Sequence, residues 1–301
     1  LGEKAVSEGR RLPAQGNHRA GNTVQGVEIR ISDLAYTYPS GVAALRSVSL
    51  QISPGEQVAI VGQNGAGKTT LVKHMNGLLR PTSGSVFIGG WDTRNRSVAQ
   101  LAARVGYVFQ NPDDQLFQSR VTTEVMFGPK NLGWESSRAE ARSLAALQQV
   151  GLEDAADRHP YDLSPGERKR VALAAVLAMD TPVIVLDEPT TGQDYAGVRL
   201  VGEIVDALNR EGKTVITITH DIDFCAERFE RVIVMGEGEV LLDGPVREVL
   251  AQAEVLAQTF VEPPQMMRLA LMLGMEEMPL TVGEFVQTWT ALRKAKNQQK
   301  N

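Results

Sequence analysis

Apolar and polar positions alternate at Val27, Ile29 and Ile31 and again at Val48, Leu50 and Ile52, the two-residue period of a strand with one buried face. Pro54-Gly55 then supplies a turn. The runs that follow differ in kind. Val58-Ala59-Ile60-Val61, Val183-Ile184-Val185-Leu186 and Val215-Ile216-Thr217-Ile218 lack alternation, which predicts strands covered on both faces, as in a parallel sheet. Helical stretches between them predict an α/β domain with right-handed crossovers. Residues 112–168 carry no such strand and predict a helical insertion, with Arg138 to Val150 as a helix whose apolar stripe is Ala141, Leu144, Ala145, Leu147 and Val150. Arg231–Met235 and Glu239–Leu242 flank Gly236-Glu237-Gly238 as a short hairpin. The expected organisation is a disordered extension over 1–26, one domain over 27–243 and a C-terminal extension over 244–301, in which Pro263-Pro264 precede a methionine-rich stretch from Met266 to Met278 and a basic tail.

Composition narrows the chemistry. The 301 residues are 43% hydrophobic and 22% charged, and the net charge of −5 gives no overall basic field for nucleic acid. One cysteine, Cys225, excludes a disulfide framework and a cysteine metal cluster and reads as inert packing. The longest apolar run, Val171 to Met179, falls well short of the roughly 20 residues a spanning helix needs, so any membrane association must come through a partner. Residues 1–26 have no apolar core segment of a secretory leader.

The run Val58–Val61 leads into Gly62-Gln63-Asn64-Gly65-Ala66-Gly67-Lys68-Thr69, which matches GxxxxGK[ST]. Glycines let backbone amides close around phosphate oxygens, and the N-terminus of the helix that follows attracts anions. Lys68 is positioned to reach β- and γ-phosphates, and the Thr69 hydroxyl to bind Mg²⁺. The run Val183–Leu186 ends in Asp187-Glu188, acids delivered to the ligand edge of a parallel sheet. Asp187 suits the Mg²⁺ shell, and Glu188 suits orientation of an attacking water, since phosphoryl transfer rests on positioning and charge stabilisation. His220 ends the run Val215–Thr219 in the same manner and could contact the γ-phosphate and the water, whereas His18, His74 and His159 read as structural.

With these residues in order, the chain resembles the ABC ATPase family over about residues 27–242. The resemblance implies a P-loop NTPase (RecA-like) core sheet with an antiparallel β subdomain, an inserted helical subdomain and a small C-terminal extension. It implies ATP and Mg²⁺ as ligands and hydrolysis coupled to transport. Tyr38 looks like the aromatic that stacks on adenine, and Thr70 extends the nucleotide loop. Gln110 looks like the residue linking Mg²⁺ and water to a membrane partner. Leu163-Ser164-Pro165-Gly166-Glu167 is similar to the family signature LSGGQ, and Gly192-Gln193-Asp194 to its D-loop, where a hydrophobic residue is usual in place of Gln193.

The signature also has a local reading: Ser164 caps a helix, Pro165 suits its first position and Glu167 completes a capping box. In the family that helix end faces the phosphate held by an opposing subunit, which assigns Ser164 and Gly166 to a nucleotide on a second ATPase chain, in a homodimer or a heterodimer. Pro165 removes an N–H donor and Glu167 adds charge where the family has glycine and glutamine.

Within the family, Phe109-Gln110-Asn111-Pro112-Asp113-Asp114-Gln115-Leu116-Phe117 is similar to the segment that contacts the membrane scaffold in energy-coupling-factor and cobalt/nickel importer ATPases. Asp113 and Asp114 would face basic residues there, and Leu116 and Phe117 an apolar groove. The Pro263–Met266 stretch is similar to a dimerisation extension, although core packing accounts equally for its methionines. The resemblance thus implies a peripheral protein on the cytoplasmic face of the cell membrane. Its partners are a second ATPase, a transmembrane scaffold and a substrate-binding membrane subunit, with vitamins and transition-metal ions both allowed as cargo. The competing readings are a soluble ABC machine acting on nucleic acid or ribosomes, and a degenerate regulatory ABC subunit.

Overall fold

The computed structural model describes residues 24–298. The chain begins with β1 (Ile29–Thr37), β2 (Ala43–Ile52) and β3 (Gln57–Val61), then α1 (Lys68–Met75), β4 (Ser83–Ile88), β5 (Trp91–Asp92), α2 (Val98–Ala102) and β6 (Val105–Val108). Three helices follow without a strand: α3 (Val121–Asn131), α4 (Ser136–Gln149) and α5 (Pro165–Ala178). The sheet resumes with β7 (Val183–Asp187), α6 (Tyr195–Arg210), β8 (Thr214–Ile218), α7 (Ile222–Arg228), β9 (Arg231–Gly236) and β10 (Glu239–Pro245). The C-terminal part is helical, with α8 (Val246–Leu250), α9 (Ala253–Gln258), α10 (Gln265–Met272) and α11 (Val282–Gln298).

Two sheets result. The antiparallel one has the order β2-β1-β4-β5; the other runs β10-β9-β3-β8-β7-β6 and is parallel from β9 to β6. The unbroken apolar runs are explained by coverage on both faces. Val58 and Ile60 of β3, with Val183 and Val185 of β7, join the core beneath the antiparallel sheet, whereas Ala59, Val61, Ile184 and Leu186 join the core shared with α3–α6. Each buried valine, isoleucine or leucine of this set contributes roughly 1.5–3 kcal/mol.

The pattern of α4 departs from expectation. Ala141, Leu144 and Ala145 are exposed, and the buried face is Ala139, Ser143, Ala146 and Leu147, continued by Val150. Ser143 tolerates burial because its hydroxyl donates to the Ala139 carbonyl at 2.7 Å. Residues 1–23 of the expected N-terminal extension lie outside the described residues, whereas the Gly26 amide donates to the Gly212 carbonyl at 2.7 Å. Cys225 is buried in α7, where desolvation pushes its thiol well above the usual range. No helix among the described residues is long and apolar enough to cross a membrane.

Candidate functional site

Four adjacent parallel strands, in the order β3-β8-β7-β6, end at one edge of the sheet. At or just past those ends stand the phosphate loop, His220, Asp187-Glu188 and Gln110, so strand order alone brings together residues up to 158 positions apart in the chain. Gly62, Gln63, Asn64, Gln110, Glu188 and His220 line one open crevice there.

The loop's shape depends on particular glycines. A Cβ on Gly62 would lie 2.1 Å from the Met235 carbonyl oxygen of β9, so only glycine lets the neighbouring strand pass. Gly65 has φ 86° and open space where a Cβ would stand, which leaves its backbone approachable from solvent. Gly67 is the N-cap of α1 and offers no side-chain acceptor, so first-turn amides of α1 are free for an anionic ligand. Lys68 is buried and donates to the Gly62 carbonyl at 2.6 Å and the Gln63 carbonyl at 3.0 Å. Burial lowers its pKa, and the nearby carboxylates of Glu188 and Asp187 oppose that shift.

Asp187 is 1% exposed. One carboxylate oxygen accepts from the Thr69 hydroxyl at 3.1 Å and from Tyr107 at 2.7 Å; the other, Oδ1, is buried and has no hydrogen-bond partner among the described residues. A buried carboxylate oxygen left unpaired beside a threonine hydroxyl is the donor set that a hard divalent cation such as Mg²⁺ takes, so these residues fit that ion. Burial, with the Asp187 charge, drives the Tyr107 hydroxyl far above its ordinary pKa and keeps it a donor.

Glu188 has φ 52°, a left-handed conformation costly for a non-glycine residue and frequent at functional sites. Its amide donates to the Ile218 carbonyl at 2.8 Å, and its carboxylate lies 2.7 Å from His220 Nδ1. The Thr191 hydroxyl donates to the same carboxylate oxygen at 3.4 Å. The Glu188 side chain is 8% exposed and that of His220 is 70% exposed, so the imidazole is the open side of a sheltered acid. Tyr38 sits at the far end of the loop, its hydroxyl 3.0 Å from the Thr70 hydroxyl and its ring edge-on to Tyr36.

Ser164 and Gly166 are not part of this crevice within the chain. They begin α5, where Ser164 accepts from the Glu167 amide at 3.3 Å and donates to the Glu167 carboxylate at 2.7 Å, a complete capping box with Pro165 in the first turn. Those bonds hold the Glu167 carboxyl below its usual pKa.

The Gln110–Phe117 segment requires one correction. Leu116 is 3% exposed and packs in the core with α3 and α5, so it does not face an external groove. Gln115 turns it inward by accepting from the Phe109 amide at 3.1 Å and donating to the Ala172 carbonyl at 2.9 Å. Asp113 is paired within the chain to Arg168 at 3.3 Å, whereas Phe117 is exposed and stands edge-on to Phe127.

Two residues absent from the sequence reading also touch the site. Tyr107 lies in β6, a strand concealed by Gly106. Lys169 lies on α5, and its ammonium donates to the Glu188 and Thr191 carbonyls at 2.5 and 3.0 Å. The signal for Lys169 was present: it is in helical register with buried Ala172 and Val176.

A family model described as ABC transporter matches residues 45–191. An energy-coupling factor transporter ATP-binding protein EcfA of Methanothermobacter thermautotrophicus is 42% identical over 239 residues, covering 79% of this chain and 77% of its own length. A solved structure of cbiO1 from Clostridium perfringens, described as part of the ABC transporter complex cbiONQ, superposes with a TM-score of 0.68 at 36% identity, over 82% of this chain and 98% of that one. A dimeric ATP-binding cassette in a post-hydrolysis state bound to ADP and Pi superposes with a TM-score of 0.68 at 30% identity, over 73% of this chain and 99% of that one. The chain spans only 40% and 44% of the length of two further relatives, at 44% and 43% identity. Sequence, fold and the converging strand ends agree, and the chain belongs to the ABC transporter ATP-binding family.

Proposed function

We propose that this chain binds and hydrolyses ATP as one of two cassettes driving an energy-coupling-factor importer of micronutrients, either vitamins or transition-metal ions. The observation that carries the hydrolytic reading is the convergence of Lys68, Thr69, Asp187, Glu188, His220 and Gln110 on one sheet edge. The triphosphate enters along the loop amides and the N-terminus of α1, and Tyr38 lies beyond Thr70, where it can meet the base. Lys68 exchanges the Gly62 and Gln63 carbonyls for phosphate oxygens, which keeps its charge solvated while it leaves those acceptors. Thr69, Asp187 and Gln110 are the residues that would hold Mg²⁺, and the ion supplies neutralisation of charge on the phosphate oxygens. Glu188 accepts a hydrogen bond from the attacking water and orients it, and His220 holds the Glu188 carboxylate in place from the open side.

The importer reading is supported by similarity to EcfA and to cbiO1, and by the exposed Phe117–Phe127 pair, whose Phe117 follows Gln110 in the same segment. Exposed apolar residues Leu271, Met272, Val282 and Val286 on the C-terminal helices offer a surface for a second cassette, while Met267 and Met275 pack inside the chain. A machine acting on nucleic acid or ribosomes fits less well. The inserted helices α3, α4 and α5 have 11, 14 and 14 residues, too short for a coiled-coil arm.

Mg²⁺-dependent ATP hydrolysis by the purified chain, together with its co-purification with an integral membrane scaffold after co-expression, is the expected result. A chain that hydrolyses ATP yet never associates with the membrane fraction would sink the importer assignment.

A further inference from the structure

Lys169 is 6% exposed on a helix face that is otherwise apolar, with Ala172, Leu173 and Val176 beside it. Burying an ammonium there is costly unless the charge is solvated by acceptors. Its acceptors are two backbone carbonyls of a single turn, Glu188 at 2.5 Å and Thr191 at 3.0 Å. That turn holds Glu188 at φ 52° and is closed by the Thr191 amide donating to the Glu188 carbonyl at 3.3 Å. A second link runs in parallel: the Gln193 side-chain amide donates to the Gly166 carbonyl at 3.1 Å. The first two turns of α5 are thus pinned at two points to the segment that carries the hydrolytic acid. Ser164, five residues before Lys169 and about 7.5 Å away along the helix, caps the same helix.

We propose that Lys169 is a positioning residue for Glu188, clamping the turn that carries this acid to the helix that begins at Ser164. The inference rests on the reading that Ser164 serves a nucleotide held by a second cassette. Under that reading, a shift of α5 when Ser164 engages the other chain's phosphate is passed through Lys169 to Glu188. The two ATP sites of a pair are then linked within each chain through one ammonium and two carbonyls. Gln193, which stands where the family has a hydrophobic residue, reinforces the clamp through the Gly166 carbonyl.

The test compares Lys169→Met, Lys169→Arg and Gln193→Ala with the wild type in the assembled complex, measuring kcat, KM for ATP and nucleotide affinity. Lys169→Met is expected to lower kcat by about 100-fold, the cost of displacing a group by about 1 Å. KM and affinity should stay within about 3-fold, since the ATP-holding groups are untouched. Lys169→Arg, which retains donors for both carbonyls, should recover most of the loss, and Gln193→Ala should lower kcat by a smaller factor than Lys169→Met. In a Glu188→Gln background, Lys169→Met should cause no further loss in single-turnover hydrolysis, because the acid it positions is already gone. Wild-type kcat in Lys169→Met, a change confined to KM, or an undiminished loss in the Glu188→Gln background would each overturn the assignment. If Lys169→Met does not fold, Lys169→Gln is measured in its place against the same outcomes. A wild-type complex without ATPase activity would instead overturn the proposed function.

Discussion

The edge of the parallel sheet and the start of α5, the two regions to which the proposed function assigns the chemistry, are built differently. At the sheet edge Lys68, Asp187 and Glu188 are buried, and Asp187 Oδ1 has no hydrogen-bond partner among the described residues. At the start of α5, Ser164, Pro165 and Glu167 form a capping box that satisfies its own polar groups. The first region is buried and holds Glu188 in a left-handed conformation. The second is a stable helix start that, under the proposed function, becomes part of a site only when another chain presents its phosphate.

That difference ranks the expected effects of substitution. Glu188→Gln should lower ATP turnover by at least about 100-fold while leaving nucleotide binding intact, because positioned electrostatic groups carry most of the rate; steady-state hydrolysis and equilibrium binding measured side by side check this. Lys68→Ala should weaken ATP affinity by roughly 10- to 100-fold, the worth of a charged hydrogen-bonding partner, as read by titration with a fluorescent nucleotide.

At the other region the effects are smaller and have a different character. Ser164→Ala should lower stability by about 1 kcal/mol through loss of the cap, with a several-fold fall in turnover; thermal unfolding of the isolated chain separates the two effects. Pro165→Gly restores a backbone N–H at the helix start and should raise turnover slightly while lowering the unfolding temperature, since glycine enlarges the freedom of the unfolded chain. A large loss of nucleotide affinity in either α5 variant, measured without a second cassette present, would erase the distinction between the two regions.

Legibility in the sequence followed the same division. The ends of β3, β7 and β8 could be read because each unbroken apolar run abuts a residue with a single plausible chemistry. Strand β4 (Ser83–Ile88) is not legible because its first half is serine and glycine, and β6 is hidden by Gly106 and Tyr107. The face of α4 is ambiguous in the sequence because its many alanines are compatible with either side. A serine that bonds its own backbone took a core position, and Leu144 was left 46% exposed. The family resemblance implies an outward Leu116, but the two hydrogen bonds of Gln115 turn that segment inward. Lys169 escaped notice because lysine is ordinarily a surface residue, and its acceptors are carbonyls that no sequence motif marks.

A crystal structure of the Glu188→Gln chain with ATP and Mg²⁺ is the most direct test. Each triphosphate is expected between Lys68 and Thr69 of one chain and Ser164 of another, with residue 188 facing the terminal phosphoryl group. ATP seated in the crevice with no second signature helix against it, or residue 188 turned toward α5 and away from the phosphate, would contradict that arrangement.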